Sequence, residues 1–251
     1  MGGSVGLALN ERRVTTMKPL FRCLAVAGLA SLTSLSPAHA VPLIANGSFE
    51  TPAVPVGGFT NFLVGGGTLT GWNVIGPAGK HVSIVSGVFS QNGVSLPAED
   101  GSQWLDLTGF NDNSTEGVSQ SVATTIGDSY QLSFFIGNTT GGGIFGTTST
   151  VNVFLNGLPT FTDVNSLISP TTLTWEQFTH TFVASGATTT LGFANGDPAT
   201  DNSNGLDNVV LLDLGPAPVT GLPEPGTLAL FGAGLAGAAA LRRRRKKTVQ
   251  E

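Results

Sequence analysis

Few side chains in the central part of this sequence could act as a nucleophile or a general base. Residues 41–222 contain no cysteine and two histidines, His81 and His180, so a Ser-His-Asp triad would have to use one of these two. His180 alternates with Phe178 and Phe182, which predicts a partly buried, hydrogen-bonded strand residue. The same region contains no Gly-x-Ser-x-Gly elbow, His-Glu-x-x-His helix or phosphate-binding loop. The sequence therefore argues against nucleophilic catalysis and against a zinc enzyme.

Oxygen-bearing side chains offer a second kind of chemistry, the binding of a hard cation. They crowd one stretch near the end of the central part: Asn195, Asp197, Asp201, Asn202, Asn204, Asp207 and Asn208. Calcium binds about six to eight such oxygens, so a calcium loop is one reading. The spacing lacks the Asp-x-Asp-x-Asp-Gly order of an EF-hand, and we favour the alternative that these are solvated turn residues.

A glycosidase would need two carboxylates on opposite sides of the scissile bond. Glu99, Asp100 and Asp106 are the candidates. Nothing in the sequence fixes their separation, and Asp100-Gly101 is typical of a turn before a strand. A hydrolase is therefore a distant alternative.

Aromatic rings could bind sugars by stacking on the apolar face of a pyranose. The three tryptophans, Trp72, Trp104 and Trp175, lie in or beside apolar strand segments, where we expect core packing. The better candidates for exposed, ligand-binding aromatics are phenylalanines in expected loops: Phe59, Phe62, Phe110 and Phe145.

The C-terminus combines three parts in a fixed order: Pro223-Glu224-Pro225, an apolar run of 16 residues (226–241), and a tail (242–251) that opens with six cations. The run is slightly shorter than the roughly 20 residues of a typical spanning helix, but membrane thinning allows it to cross. The cations would remain cytoplasmic. This order resembles the PEP-CTERM sorting signal of exported Gram-negative proteins. The resemblance implies that an exosortase, an integral-membrane protease, cuts near the triplet; the alternative is a plain membrane anchor.

The N-terminus agrees with export. A basic segment (residues 17–22) precedes an apolar one (23–35), and Ala38-His39-Ala40 has the small-x-small form that signal peptidase cuts after. We predict that residues 1–40 are an N-terminal extension and a Sec signal peptide, with Met17 as the true start.

Removing both ends leaves an acidic body. Between residues 41 and 222, Lys80 is the one Lys or Arg against 13 Asp and Glu, a net charge near −12. Such a body cannot neutralise phosphates, which makes nucleic acid and anionic membrane surfaces poor partners. Neutral sugars and divalent cations remain suitable ligands. Without cysteines, the domain must be held by its core rather than by disulfides.

The body has the pattern of an all-β domain. Apolar and polar residues alternate in residues 129–136, 151–155 and 178–182, and turn signals such as Asn92-Gly93 and Asn156-Gly157 separate short segments. We predict a two-sheet antiparallel jelly-roll sandwich with Gly-rich surface loops at 51–70 and 137–147. The predicted segments are the sandwich (41–214), a Pro/Gly linker (215–225), a short hydrophobic transmembrane helix (226–241) and a basic cytoplasmic tail (242–251).

Four short motifs follow one another along the body: Asn46-Gly47-Ser48-Phe49-Glu50, Gly71-Trp72, the run from Asp100 to Leu107, and Gly205-Leu206-Asp207-Asn208-Val209. They resemble galactose-binding-like jelly rolls, most closely the choice-of-anchor C type, which is related to plant cell-wall domains of unknown function and, more distantly, to carbohydrate-binding modules. The resemblance implies binding rather than catalysis. It also implies a structural calcium ion held by both chain ends, with Glu50 and Asp207 as ligands and Asn46 or Ser48 contributing. The alternative is that Glu50 caps a turn and Asp207 starts a strand.

These observations predict an exported, non-enzymatic protein of the cell surface or extracellular matrix that contacts polysaccharide. Its expected partners are signal peptidase and exosortase during export, and the membrane through the C-terminal helix before processing. A structural or adhesive surface protein that binds no sugar is the main alternative.

Overall fold

The computed structural model describes residues 42–66, 69–109, 113–199, 204–218 and 231–237. They belong to one compact unit of the chain, His39–Glu251; the other unit, Met1–Ala38, lies outside the described residues. Several predicted site residues also lie outside them: Ala38, Ala40, Phe110, Pro223, Glu224 and Pro225.

Strands dominate the described residues, and every pairing between named strands is antiparallel. The strands are β1 (Phe59–Leu63), β2 (Asn73–Ile75), β3 (His81–Ser86), β4 (Ser90–Gln91), β5 (Val94–Ser95), β6 (Gln103–Asp106), β7 (Gly117–Ala123), β8 (Asp128–Asn138), β9 (Ser149–Leu155), β10 (Leu158–Asn165), β11 (Thr174–Val183), β12 (Thr188–Asn195) and β13 (Gly205–Pro216).

These strands form two large sheets and one small hairpin. The six-stranded sheet has the order β1-β3-β6-β13-β8-β11, the five-stranded sheet has the order β10-β9-β12-β7-β2, and β4 pairs with β5 alone. The predicted all-β, two-sheet antiparallel sandwich of the jelly-roll kind is confirmed.

The core lies between the two sheets because alternate residues of each strand point inward. In β8 the inward residues are Tyr130, Leu132, Phe134 and Ile136, all buried, as the alternation predicts. Phe193 of β12 meets them from the opposite sheet, with its ring centroid 5.1 Å from that of Phe134. Burying each such side chain contributes about 1.5–3 kcal/mol, so the core can hold the domain without disulfides.

The predicted loop at residues 51–70 is wrong in part, because it contains β1. This strand pairs with β3, with Phe59 opposite Val85 and Phe62 opposite Val82. It is an edge strand of five residues flanked by glycines, too short for its alternation to stand out. The predicted loop at 137–147 is also shorter, because β8 continues to Asn138 and a 3-10 turn forms at Gly141–Gly143.

One short helix, α1 (231–237), occurs near the C-terminus, as predicted for this region. Most of the predicted spanning segment, 226–241, lies outside the described residues. Among the helices that the structure describes, none combines the length and apolar character needed to cross a membrane.

Candidate functional site: a groove on the six-stranded sheet

The outward face of the six-stranded sheet carries an open groove, and its floor comes from β3 and β6. In these strands the residues that alternate with core residues face outward. They are Ser83 and Val85 on β3, which lie opposite Asp106 and Trp104 on β6. The floor therefore combines two polar and two apolar side chains.

The hairpin β4–β5 forms one wall of the groove. Asn92 and Gly93 make its two-residue turn, and both adopt left-handed conformations, with φ of 53° and 81°. Asn-Gly suits such a turn because these residues tolerate positive φ at little steric cost. The hairpin thereby brings Phe89, Gln91 and Asn92 to the groove.

Aromatic rings and neutral polar groups both line the groove. The cavity measures about 180 Å³ and is lined by Phe59, Ser83, Val85, Phe89, Gln91, Asn92, Leu96, Trp104, Asp106, Gly109, Thr139, Ile144 and Phe145. Phe59 and Phe89 pack edge to face, with ring centroids 5.6 Å apart. Such a surface suits a ligand with both apolar faces and hydroxyl groups.

Trp104 anchors this region. It is 3 % exposed, its indole Nε1 donates to the Leu96 carbonyl at 3.1 Å, and its ring meets Trp175 edge to face at 5.8 Å. Together with Val85 and Phe145 it belongs to a small apolar cluster separate from the main core. The predicted core packing is confirmed for Trp72 and Trp104, although one side of Trp104 reaches the groove, whereas Trp175 is only partly buried.

Asp106 is the acidic group of the groove among the described residues. Its Oδ1 accepts hydrogen bonds from the Thr108 backbone N–H at 2.9 Å and the Thr108 hydroxyl at 2.7 Å. Burial raises the pKa of Asp106 to about 7, and the negative charge of Glu116 adds to the rise, while these hydrogen bonds oppose it. A single carboxyl group with this pKa can bind a hydroxyl as donor or acceptor.

The predicted ligand-binding phenylalanines lie in different environments. Phe59 and Phe145 both line the groove, although Phe145 is 7 % exposed rather than on an open loop. The expectation for Phe62 is wrong, because its side chain points into the core between the sheets. Sequence reasoning missed Phe89 and Gln91; the Asn92-Gly93 turn signal was the feature that could have located them.

Glu50 and Asp207 lie outside the groove. Both bind residues 99–103, the loop that leads into β6. Glu50 accepts the Ser102 and Gln103 backbone N–H groups at 2.8 and 3.0 Å. Asp207 Oδ2 accepts those of Glu99 and Asp100 at 2.9 and 3.1 Å. Residues from the beginning and the end of the domain are thus tied to one loop. These bonds match the alternative in which Glu50 caps a turn, and calcium binding there stays a prediction.

The other predicted residues of that site are placed around it. Asn46 donates through Nδ2 to the Thr51 and Thr70 carbonyls, at 2.6 and 2.9 Å, and so ties other segments together. Ser48 donates to Asp100 at 2.7 Å. Burial raises the pKa of Asp207 to about 8, although three backbone amides lower it.

A family model described as "Protein of unknown function (DUF642)" matches residues 42–211. The chain belongs to the DUF642 family. A second model, the PEP-CTERM protein-sorting motif, matches residues 222–245 and confirms the resemblance of the C-terminus. The motif marks this DUF642 protein as an exported, membrane-transiting chain.

Solved structures similar to this DUF642 protein include carbohydrate-binding domains and glycoside-active enzymes, all at low identity. The tandem CBM22-1–CBM22-2 domain of Paenibacillus barcinonensis Xyn10C shares 17 % identity over 68 % of this chain and 49 % of its own, with a TM-score of 0.40. The CBM22-1 xylan-binding domain of the same enzyme shares 17 % over 66 % of this chain and 100 % of its own, at 0.38. The sugar-binding EclA C-terminal domain shares 14 % over 37 % of this chain and 64 % of its own, at 0.31. A comparison with curated proteins gives no match.

His180 of the DUF642 domain has the structural role that its spacing predicts. Its Nε2 lies 2.7 Å from Asp163 Oδ2, and its ring stacks on Phe161 with centroids 3.9 Å apart. Because β11 and β10 are edge strands of different sheets, this pair joins the two sheets at one side of the sandwich.

Groups of three or more His, Cys, Asp or Glu arranged to hold a metal do not occur in the part of the chain that the structure describes. A cation held by the described residues would draw on amide and backbone oxygens as well as carboxylates.

Proposed function

We propose that the DUF642 domain binds neutral polysaccharide in the groove between β3, β6 and the β4–β5 hairpin. The observation that supports this most is the lining itself, four aromatic rings interspersed with serine, threonine, glutamine and asparagine side chains. Sugar rings have apolar C–H faces and hydroxyl edges, so they need both kinds of partner at once.

Charge supports a neutral rather than an anionic glycan. The body between residues 41 and 222 has a net charge near −12, with Lys80 as its single Lys or Arg. A uronate or sulfate group would meet this field at an energetic cost. Asp106, the acidic group among the described lining residues, would be a hydrogen-bonding partner for a hydroxyl.

The same lining favours binding over hydrolysis. A glycosidase places two carboxyl groups roughly 5–10 Å apart across the bond that breaks. Asp106 lines the groove without a second acidic side chain among the described lining residues, and Glu99 and Asp100 lie in the loop bound by Glu50 and Asp207. The domain is accordingly a non-catalytic binder in this proposal.

In this proposal, export and sorting deliver that binder to the cell surface or the extracellular matrix. Signal peptidase would remove the N-terminal segment, and the apolar run after Pro225 would hold the chain in the inner membrane until an exosortase acts at the Pro-Glu-Pro triplet. The sorting motif at residues 222–245 supports this route.

Polysaccharide binding should weaken when the polar wall of the groove is removed. In a Gln91→Ala, Asn92→Gly variant we expect affinity to fall about thirtyfold, because two hydrogen-bonding side chains contribute roughly 1 kcal/mol each. Glycine at position 92 keeps the left-handed turn. Affinity electrophoresis of the purified chain in gels containing xylan, dextran or β-1,3-galactan measures the change.

A matched control tests whether the effect is local. Asn156→Gly alters the turn between β9 and β10, which also has an Asn-Gly pair with positive φ, and Gln177→Ala removes an exposed glutamine of β11 outside the groove. This double variant should retain parental affinity. Retardation in none of the three gels would instead favour a structural or adhesive protein that binds no sugar.

A further inference from the structure

A group of polar side chains is buried close to Asp106, at the end of β6 farther from the Glu50–Asp207 loop. Glu116, Asn195 and Asn204 are 0, 1 and 0 % exposed. For the two asparagines, the expectation of solvated turn residues is therefore wrong. Three fully buried polar side chains in one place need partners that compensate for their lost hydration.

The donors of this group are all used within the protein. Asn204 Nδ2 donates to the Thr150 carbonyl and to Asn195 Oδ1, both at 2.6 Å. Asn195 Nδ2 donates to the Ser114 carbonyl at 2.7 Å, and the Ser114 N–H donates to Glu116 Oε1 at 2.8 Å. These bonds fix the orientation of both amides.

The acceptor on Asn204 is different. With Nδ2 held by two carbonyl oxygens, Asn204 Oδ1 is fixed in position, shielded from solvent and without a hydrogen-bond partner. A buried acceptor left in this state destabilises the fold, and in native proteins it usually meets a water or an ion.

Two carboxylates lie close to Asn204. Its backbone N–H binds Asp106, and Glu116 is joined to it through the hydrogen bonds of Ser114 and Asn195. The negative charges of Asp106 and Glu116 repel each other. A water molecule would satisfy the amide oxygen but would leave that repulsion in place, whereas a cation would offset both.

We propose that a divalent cation, calcium by its chemistry, binds between Asp106, Glu116 and Asn204 Oδ1. The three named ligands present oxygen alone, the donor atom that calcium prefers, and zinc or copper would favour nitrogen or sulfur. Two carboxylates supplemented by amide oxygen, rather than three acidic side chains, form the site. It is separate from the calcium site predicted at Glu50 and Asp207, and it does not depend on polysaccharide binding.

Calcium titration of the purified full-length chain, stripped with chelator, tests the proposal. We expect calorimetry to detect calcium binding, and the unfolding midpoint to rise by about 5–10 °C at a hundredfold excess over Kd. Glu116→Gln and Asp106→Asn keep the shape of each side chain and should each lower calcium affinity at least tenfold. Glu176→Gln on β11 is the matched control, a carboxylate-to-amide change outside this cluster and outside the Glu50–Asp207 loop, and it should leave the affinity as in the parent.

Three results would overturn the proposal. The first is the absence of calcium binding in a parent chain whose circular dichroism shows the folded β structure. The second is binding that Glu50→Gln abolishes while Glu116→Gln and Asp106→Asn retain it, which would assign calcium to the two chain ends. The third is a midpoint shift without saturable calorimetric binding, which would indicate screening of the acidic surface and a water at Asn204.

Discussion

Replacing Trp104 by alanine is expected to lower the free energy of unfolding by about 3–5 kcal/mol, the range for deleting a buried aromatic side chain, and to abolish polysaccharide binding. The indole fills the space between the sheet and the β4–β5 hairpin, and its N–H satisfies the Leu96 carbonyl. Without it both the floor and one wall of the groove lose their support. Urea unfolding measures the first effect and affinity electrophoresis the second.

Phe193→Ala is the control that separates the loss of stability from the loss of polysaccharide binding. Phe193 is fully buried, and its neighbours Phe134 and Trp72 belong to the main core rather than to the groove. Its removal should cost a similar amount of stability while polysaccharide binding remains at temperatures well below the midpoint. Equal loss of binding in both variants would contradict a specific role for Trp104 in the groove.

In the presence of chelator, the chain should become less stable as the pH rises from 5 to 8.5. The pKa values of Asp106 and Asp207 are about 7 and about 8 in the folded chain, against an ordinary value of 3.8. The folded state therefore holds more protons than the unfolded state between these pKa values. The contribution of the two carboxyl groups to the free energy of unfolding is complete below pH 4 and is lost as the pH rises through 7 and 8. Each pKa unit corresponds to about 1.4 kcal/mol, which makes a loss of a few kcal/mol expected.

The slope of stability against pH identifies the two groups. Urea midpoints of the parent and of an Asp106→Asn, Asp207→Asn variant are compared across this range, and the variant should show a much flatter profile whatever its absolute stability. Stability that increases with pH in the parent, or an unchanged slope in the variant, would show that other groups determine the response.

The alternation of apolar and polar residues correctly predicted the strands that have one face in the core. Tyr130, Leu132, Phe134 and Ile136 occupy the positions expected from the sequence because a long, half-buried strand imposes a period of two. The edge strand β1 has five residues and one fully inward phenylalanine, Phe62, so its pattern is indistinguishable from a loop. The sequence did not predict strand β10 either. Only Asp163 and Asn165 of its eight residues are buried, so it shows no apolar alternation.

The candidate site was less accessible to sequence reasoning than the fold. The floor of the groove requires the β3–β6 register that brings Ser83 to Asp106, and its wall requires the hairpin to fold over that floor. Neither contact is local in the chain. The burial of Asn195 and Asn204 was equally hidden, because a run of Asn, Asp and Gly reads as a solvated turn until the strands around it are placed.

Hydrogen–deuterium exchange, with and without the polysaccharide that gives the strongest retardation among xylan, dextran and β-1,3-galactan, locates the binding surface on the domain. We expect slower exchange in residues 83–94 and 139–145, which include the floor strand β3, the β4–β5 hairpin and three further lining residues, and unchanged exchange in β9 and β10. Protection confined to β9, β10 or β12, on the other sheet, or retardation by none of the three polysaccharides, would contradict binding in this groove.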